Sequence, residues 1–305
     1  MLLSYHQTAL FFKKKYMILY TLYFILYTKY MLQAWQNIPA HLNPIAFTIG
    51  PIPVSWYGIM YVVSFAIAYY LIRYRIRSEN LGISFETVQD FFPWAIVGLL
   101  LGARLGDVFI YDWSYFKNHL SQIFLPFDIG NHWQYIGIYG MSYFGGLLGL
   151  TLAFYLFCRT RKINLLEFSD LFAPAVPLAF TFGRLGNFIN GELYGRVTNK
   201  FWGMYFPMDF SGQLRHPSQL YEAFLEGILL FAVLWSLRKY KFPIGYLTSF
   251  YLMGYGIARF IAEFFREPDK GWIFWSLTFG QWLSVFLLII GATLFFHKKF
   301  SGFRP

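Results

Sequence analysis

Seven long apolar stretches dominate the chain beyond residue 50, near 55–72, 91–111, 135–158, 171–190, 217–237, 242–265 and 273–296. A helix needs about 20 apolar residues to cross the hydrocarbon core of a bilayer. At that depth no water satisfies the backbone, so stretches of this length are expected to be helices. The predicted fold is therefore an all-α polytopic membrane protein with seven transmembrane helices. Charge content supports this: 13% of the 305 residues are charged, about half the share in a soluble domain. That is too little charge to cover a globule of this size, so apolar surface is left to face lipid.

Basic residues are clustered, and the clusters set an orientation. Arg73, Arg75 and Arg77 follow the first stretch; Arg159, Arg161 and Lys162 follow the third. Arg238, Lys239 and Lys241 follow the fifth, and Lys298, Lys299 and Arg304 the seventh. The alternate connections hold half as many from Met31 on: Lys117, Arg196, Lys200, Arg215, Arg266 and Lys270. The positive-inside bias predicts an external N-terminus and a cytoplasmic C-terminus. The long connections 112–134 and 191–216 then lie outside, with Trp56, Trp113, Trp133, Trp202, Trp272 and Trp275 near the outer ends as an aromatic belt. A net charge of +10 carried in such clusters points to topology and lipid headgroups, with no nucleic acid expected. A single cysteine, Cys158, excludes an internal disulfide framework and reads as a small buried apolar residue.

Residues 1–30 form an N-terminal extension to a single transmembrane domain, 31–305. Lys13, Lys14 and Lys15 precede an apolar run from Tyr16 to about Tyr27. Two readings stay open: an eighth helix with a cytoplasmic start, or a start codon placed upstream of Met31. No internal repeat is seen.

Charge inside a span costs roughly 2.5–3.5 kcal/mol at the bilayer centre and usually faces a cavity or the bundle interior. Arg104, Asp107, Arg184, Glu192, Glu222, Glu226, Arg259 and Glu263 lie within or at the ends of the second, fourth, fifth and sixth stretches. Those four helices are expected to line a polar cavity that the other three shield. Gln219, Glu222 and Glu226 share one face of the fifth helix, and Tyr255, Arg259, Glu263 and Arg266 one face of the sixth. Mutual pairing that only fixes helix packing is the plainer alternative for these charges, Arg104 with Asp107 above all. The stretch Gly183–Arg196, GRLGNFINGELYGR, is harder to explain that way. Small-residue spacing alone would explain Gly191 with Gly195, Gly102 with Gly106, or Gly145 with Gly149. It would not explain Arg184, Asn187, Asn190 and Glu192 together, and the planar fork of arginine suits phosphate oxygens.

At these residues the chain resembles prolipoprotein diacylglyceryl transferases. Gly183–Arg196 is similar to the family signature. Further likeness lies in Val54–Tyr61 (VSWYGIMY), Gly102–Gly106 (GARLG), Arg215–Glu222 (RHPSQLYE) and Arg259–Asp269 (RFIAEFFREPD). The resemblance covers about residues 37–298. It implies a bacterial cytoplasmic (inner) membrane enzyme with its active site toward the outer leaflet. Its substrates would be phosphatidylglycerol and the lipobox cysteine of a prolipoprotein signal peptide. The products would be a diacylglyceryl thioether and glycerol phosphate, with no metal or organic cofactor. The family usually carries a histidine in a His-Gly-Gly segment of the third span. Here Phe144 stands at that place, and phenylalanine accepts no proton. Either that histidine is dispensable, or another group does its work, or the chain is inactive.

The chemistry demands positive charge for a departing phosphate and a route to thiolate. Arg184 and Arg259 are expected to hold the phosphodiester, meeting at a single headgroup. Glu192 and Glu263 would position those arginines. Asn187 and Asn190 would orient the headgroup, and Tyr57 would hydrogen-bond phosphate or glycerol. Arg104, Gly195, Glu222 and Arg266 complete the expected substrate-binding set. His216, Glu222 and Glu192 are candidate bases, although His216 also reads as a helix-start residue before Pro217. A transporter of an anionic or lipid substrate is the alternative from another class, since intramembrane Arg and Glu also mark ion pathways.

Overall fold

The computed structural model describes residues 17, 20–21, 23–50, 52–79, 81–125, 127–128, 134–135, 140–268 and 273–301. The start of the N-terminal extension, with Lys13–Lys15, lies outside them, as do Trp133, Lys270 and Trp272. Residues 23–36 are helical. The chain is mostly helical: α1 (Trp56–Glu79), α2 (Phe85–Gly106), α3 (Tyr143–Arg161), α4 (Leu165–Phe172), α5 (Val176–Asn190), α6 (Ser218–Leu237), α7 (Tyr246–Ala262) and α8 (Phe279–Ser301). Five helices are long and apolar enough to cross a membrane, or six if α4 and α5 are one broken span. Pro174 and Pro177 sit at that break, where a ring in place of the N–H cannot continue the helix. This is a polytopic membrane protein. The predicted sixth span, 242–265, is the 17-residue helix α7, about 26 Å long at 1.5 Å per residue. Gly245, at φ +95°, delays its start.

Two compact units are formed, residues 70–172 and residues 1–69 with 173–305. In the first, α2 and α3 pack antiparallel along glycines. A Cβ built on Gly98 would lie 2.6 Å from the Ala153 Cβ, and one on Gly106 would lie 2.7 Å from the Gly145 Cα; Gly102 meets Gly145 and Gly149 between them. Lipid tails are as apolar as side chains, so close backbone approach replaces the hydrophobic drive between such helices. Gly102→Val is therefore expected to separate this pair and lower Tm in detergent by several degrees. An unchanged Tm would show that the glycines are not what joins α2 to α3.

Ser84 and Ser142 cap the two helices, accepting from Thr87 N at 3.3 Å and Gly145 N at 3.1 Å. Toward the Ser84 end of the pair, Phe91 packs edge-on against Phe154, Phe168 and Phe172. Cys158 is buried there. Arg75 departs from its sequence reading as a loop charge. α1 continues to Glu79, and Arg75 is 2% exposed. It pairs with Glu79 at 2.7 Å and donates to the Asp170 and Leu171 carbonyls at 2.7 Å. It thus satisfies the last turn of α4, where free carbonyls attract a cation.

In the second unit a hairpin, β1 (Ile45–Ile49) with β2 (Ile52–Ser55), runs directly into α1. Two two-residue ladders complete the strands: β3 (Phe127–Asp128) with β4 (Gln134–Tyr135) in the first unit, and β5 (Ile273–Phe274) with β6 (Leu277–Thr278) before α8. The 191–216 segment folds on itself through reciprocal Met204 and Arg215 backbone bonds of 2.9 Å. It buries Met204 and Phe206 against Phe188, with Ile38 and Leu42 packed alongside.

Candidate active site

The end of α5 is set by Gly191, whose φ of +72° lets its N–H turn back to the carbonyls of the last turn; glycine takes that left-handed position without penalty. The Glu192 N–H then bonds the Asn187 carbonyl at 3.1 Å, which folds the Glu192 side chain over Asn187. Asn187 Nδ2 donates to Glu192 Oε1 at 2.8 Å, and Arg184 Nη1 donates to Asn187 Oδ1 at 3.3 Å. Glu192 thus reaches Arg184 through Asn187. Arg184 also stacks over Phe180, 4.8 Å from the ring centre.

α6 contributes Gln219, Glu222 and Glu226, all fully buried as the shared face predicts. Its middle, Ala223–Leu229, is a π-helical stretch, a form common at functional sites. Thr181 of α5 stands against it, with its hydroxyl 3.4 Å from the Ala223 carbonyl. Opposite, α7 supplies Arg259. The guanidiniums of Arg184 and Arg259 meet on one atom: Arg184 Nε and Arg259 Nη1 each lie 2.9 Å from Glu222 Oε2. Arg266 Nη1 approaches Glu222 Oε1 at 3.5 Å. Arg259 also pairs through Nη2 with Glu263 Oε2 at 2.8 Å, and Nη1 is 3.7 Å from Glu226 Oε1. Charge-assisted bonds of this kind are short and strong. Their desolvation is costly, so much of this attraction offsets the burial of the charges rather than adding net stability.

Arg266 corrects the predicted face of the sixth helix. α7 ends at Ala262, and Arg266 bridges to Gly195 in an extended segment, from which its side chain returns to Glu222. Gly195 lies where backbones cross: its N–H bonds the His216 carbonyl at 2.8 Å, and a Cβ there would come 2.8 Å from the His216 Cβ. His216 Nδ1 lies 3.1 Å from the Tyr221 hydroxyl. Burial, with Lys200 adding to it, pushes the imidazole below the usual histidine range. Asn190 is half-buried and makes no side-chain hydrogen bond among the described residues. Tyr57 packs on Gly186 of α5, and its hydroxyl is 3.1 Å from that of Tyr61.

Arg104 belongs to the 70–172 unit. It is buried, donating to the Ile123 carbonyl at 2.7 Å and the Gln122 carbonyl at 2.6 Å, with Gly140 O at 3.3 Å and Asp107 at 3.7 Å. It stacks on Phe116 and so anchors the segment after α2. Phe144, in the first turn of α3, is 39% exposed.

Sequence reasoning passed over one element of the site. Glu263 Oε1 accepts the Thr278 hydroxyl at 2.9 Å. Thr278 caps α8, accepting from Gln281 N at 3.2 Å while its own N–H donates to Gln281 Oε1 at 3.0 Å. This is a capping box, and the pattern Thr-x-x-Gln before an apolar run was the signal that could have found it.

Comparison with known proteins gives concordant matches. The family model for prolipoprotein diacylglyceryl transferase matches residues 44–297. A protein of Chlorobaculum tepidum named phosphatidylglycerol–prolipoprotein diacylglyceryl transferase is 47% identical over 268 residues, 87% of this chain and 93% of that protein. Proteins of the same name from Campylobacter lari and Campylobacter jejuni are 43% and 44% identical, each covering 88% of this chain and 98% of their own length.

Proposed function

The chain belongs to the prolipoprotein diacylglyceryl transferase family, and on that premise we propose that its buried arginine cluster is where phosphatidylglycerol gives up its diacylglyceryl group. The enzyme transfers this group to a prolipoprotein. The acceptor is the lipobox cysteine thiol. Sulfur forms a bond to the glyceryl carbon, the bond from that carbon to the phosphate oxygen breaks, and glycerol phosphate departs. The thiol proton is lost in the same exchange, so charge balances.

One observation carries this assignment: guanidiniums from α5 and α7 converge on a single carboxylate oxygen. Glu222 Oε2 shows that one anionic oxygen can engage both cations at once. A phosphate oxygen arriving beside them meets preorganised positive charge in a site of low dielectric, where such charge stabilises a leaving anion most. Glu263 and, through Asn187, Glu192 hold the two arginines. Glu222 and Arg266 complete the cluster, Asn190 and Tyr57 are assigned as headgroup contacts, and Gly195 sets the backbone between His216 and Arg266. Arg104 is assigned to the external segment that it anchors. In the membrane, α7 counts as the sixth of seven spans. The N-terminus lies outside, the C-terminus in the cytoplasm of a bacterial inner membrane, and the cluster toward the outer leaflet.

With Phe144 in place of a histidine, His216 is assigned as the base, held neutral by burial and so able to accept the thiol proton. Membranes given phosphatidylglycerol and a lipobox peptide are expected to yield a peptide heavier by one diacylglyceryl group, read by mass spectrometry. Absence of that adduct from folded preparations would remove the assignment of function. The rate is expected to fall as pH drops below the ordinary histidine range of about 6.5, because a protonated imidazole cannot accept a proton. His216→Gln should be slower and lack this acid limb. If the acid limb persists in that variant, the base is another group.

A further inference from the structure

Resting on the assignment of Arg259 to the phosphate, we infer that Thr278 and Gly280, at the start of α8, are positioning residues that fix Glu263 and through it the Arg259 guanidinium.

Arg259 is held on two edges. Glu222 takes Nη1 and Glu263 takes Nη2. Glu222 is itself shared with Arg184 and Arg266, so its place is a compromise among three cations. Glu263 is the anchor that can set the rotation of Arg259 independently. Its carboxylate, 4% exposed as a residue, is fixed by two features of α8. The Thr278 hydroxyl donates to Oε1, leaving Oε2 for Arg259. The rest of the carboxylate lies against Gly280: a Cβ built there would fall 2.6 Å from Glu263 Cδ and 2.6 Å from Oε2. No side chain at 280 is compatible with the observed place of Glu263. The first turn of a 23-residue helix also presents unpaired N–H groups and the positive end of its dipole, which favours a carboxylate there.

Thr278 has two tasks, capping α8 and holding Glu263, and they can be separated. Gln281 shares only the first: its side chain accepts the Thr278 N–H, and among the described residues it makes no hydrogen bond to Glu263. Gly280 shares only the second. Alanine there is a better helix former than glycine, and the atoms it would displace are the end of a flexible side chain.

The test uses the full-length enzyme in nanodiscs, with kcat and KM for phosphatidylglycerol against a lipobox peptide, and Tm for each variant. Gly280→Ala is expected to lower kcat about tenfold or more, since misplacement by about 1 Å can cost about a hundredfold, with Tm unchanged or raised. Thr278→Val should lose kcat similarly and Thr278→Ser should restore it to within about twofold of the parent. Gln281→Ala should lower Tm and keep kcat. Parental kcat in Gly280→Ala overturns the inference, and so does a Thr278→Ser variant as slow as Thr278→Val. Arg259→Lys separates the two levels. If that variant is slow while Gly280→Ala is not, only the positioning role falls; if it turns over at the parental rate, the assignment of Arg259 itself falls.

Discussion

Arg184→Lys and Arg259→Lys are each expected to lower kcat/KM by about 10²–10³-fold, the range found when a single preorganised donor to a developing oxyanion is lost. Charge alone is not the issue, because lysine keeps it. Arg259 spans two carboxylates with two different nitrogens, Nη1 on Glu222 and Nη2 on Glu263. Arg184 uses Nε for Glu222 and Nη1 for Asn187. A lysine ammonium is one compact centre and cannot hold two such partners while facing a third. The two substitutions should not add. Both guanidiniums act on one oxygen, so the double variant is expected to be little worse than either single one, as for groups working as a unit. The measurement is steady-state turnover of a lipobox peptide with phosphatidylglycerol, beside Tm for each variant. Full turnover in both single variants would remove the arginine pair from the chemistry.

Much of this site was legible in the sequence because charge is expensive in lipid. Arg184, Arg259, Glu222 and Glu263 stand out against apolar surroundings, and the structure brings them together. Helical spacing correctly placed Gln219, Glu222 and Glu226 on one buried face, and the paired glycines of α2 and α3 do pack. What spacing could not show is how roles are divided. Glu222 was read as a substrate contact and a candidate base; that it is also the hub to which three arginines attach is fixed only by the meeting of α5, α6, α7 and the segment beyond α7. Arg266 was extrapolated along α7 because nothing in its spacing announces the helix end at Ala262. Arg75 was read as a loop charge because sequence cannot distinguish a cation facing water from one closing the carbonyl end of a neighbouring helix. Thr278 was missed because an uncharged residue carries no energetic flag even within an apolar stretch; only its capping pattern with Gln281 marked it.

Glu222→Gln is expected to be the most damaging single change to stability in the chain, costing about 3–5 kcal/mol, the range for removing one partner from a buried ion pair. Glutamine keeps the shape of the side chain, so the loss is electrostatic. Glu222 is fully buried and faces Arg184, Arg259 and Arg266. Without its charge, Arg184 keeps its bond to Asn187 and its ring partner, and Arg259 keeps Glu263. The positive charges are then left close together with less to offset their mutual repulsion. Glu226→Gln supplies the comparison. That carboxylate is also fully buried, but its nearest cation is Arg259 at 3.7 Å, and the substitution should cost much less. Unfolding in detergent, followed for Glu222→Gln, Arg266→Gln and the pair of changes together, gives the coupling directly. A favourable coupling of about 0.5–3 kcal/mol is expected for residues in one ionic network. Zero coupling, with Glu222→Gln as stable as the parent, would mean that Glu222 does not hold the arginines together, and their convergence on its oxygen would need another cause.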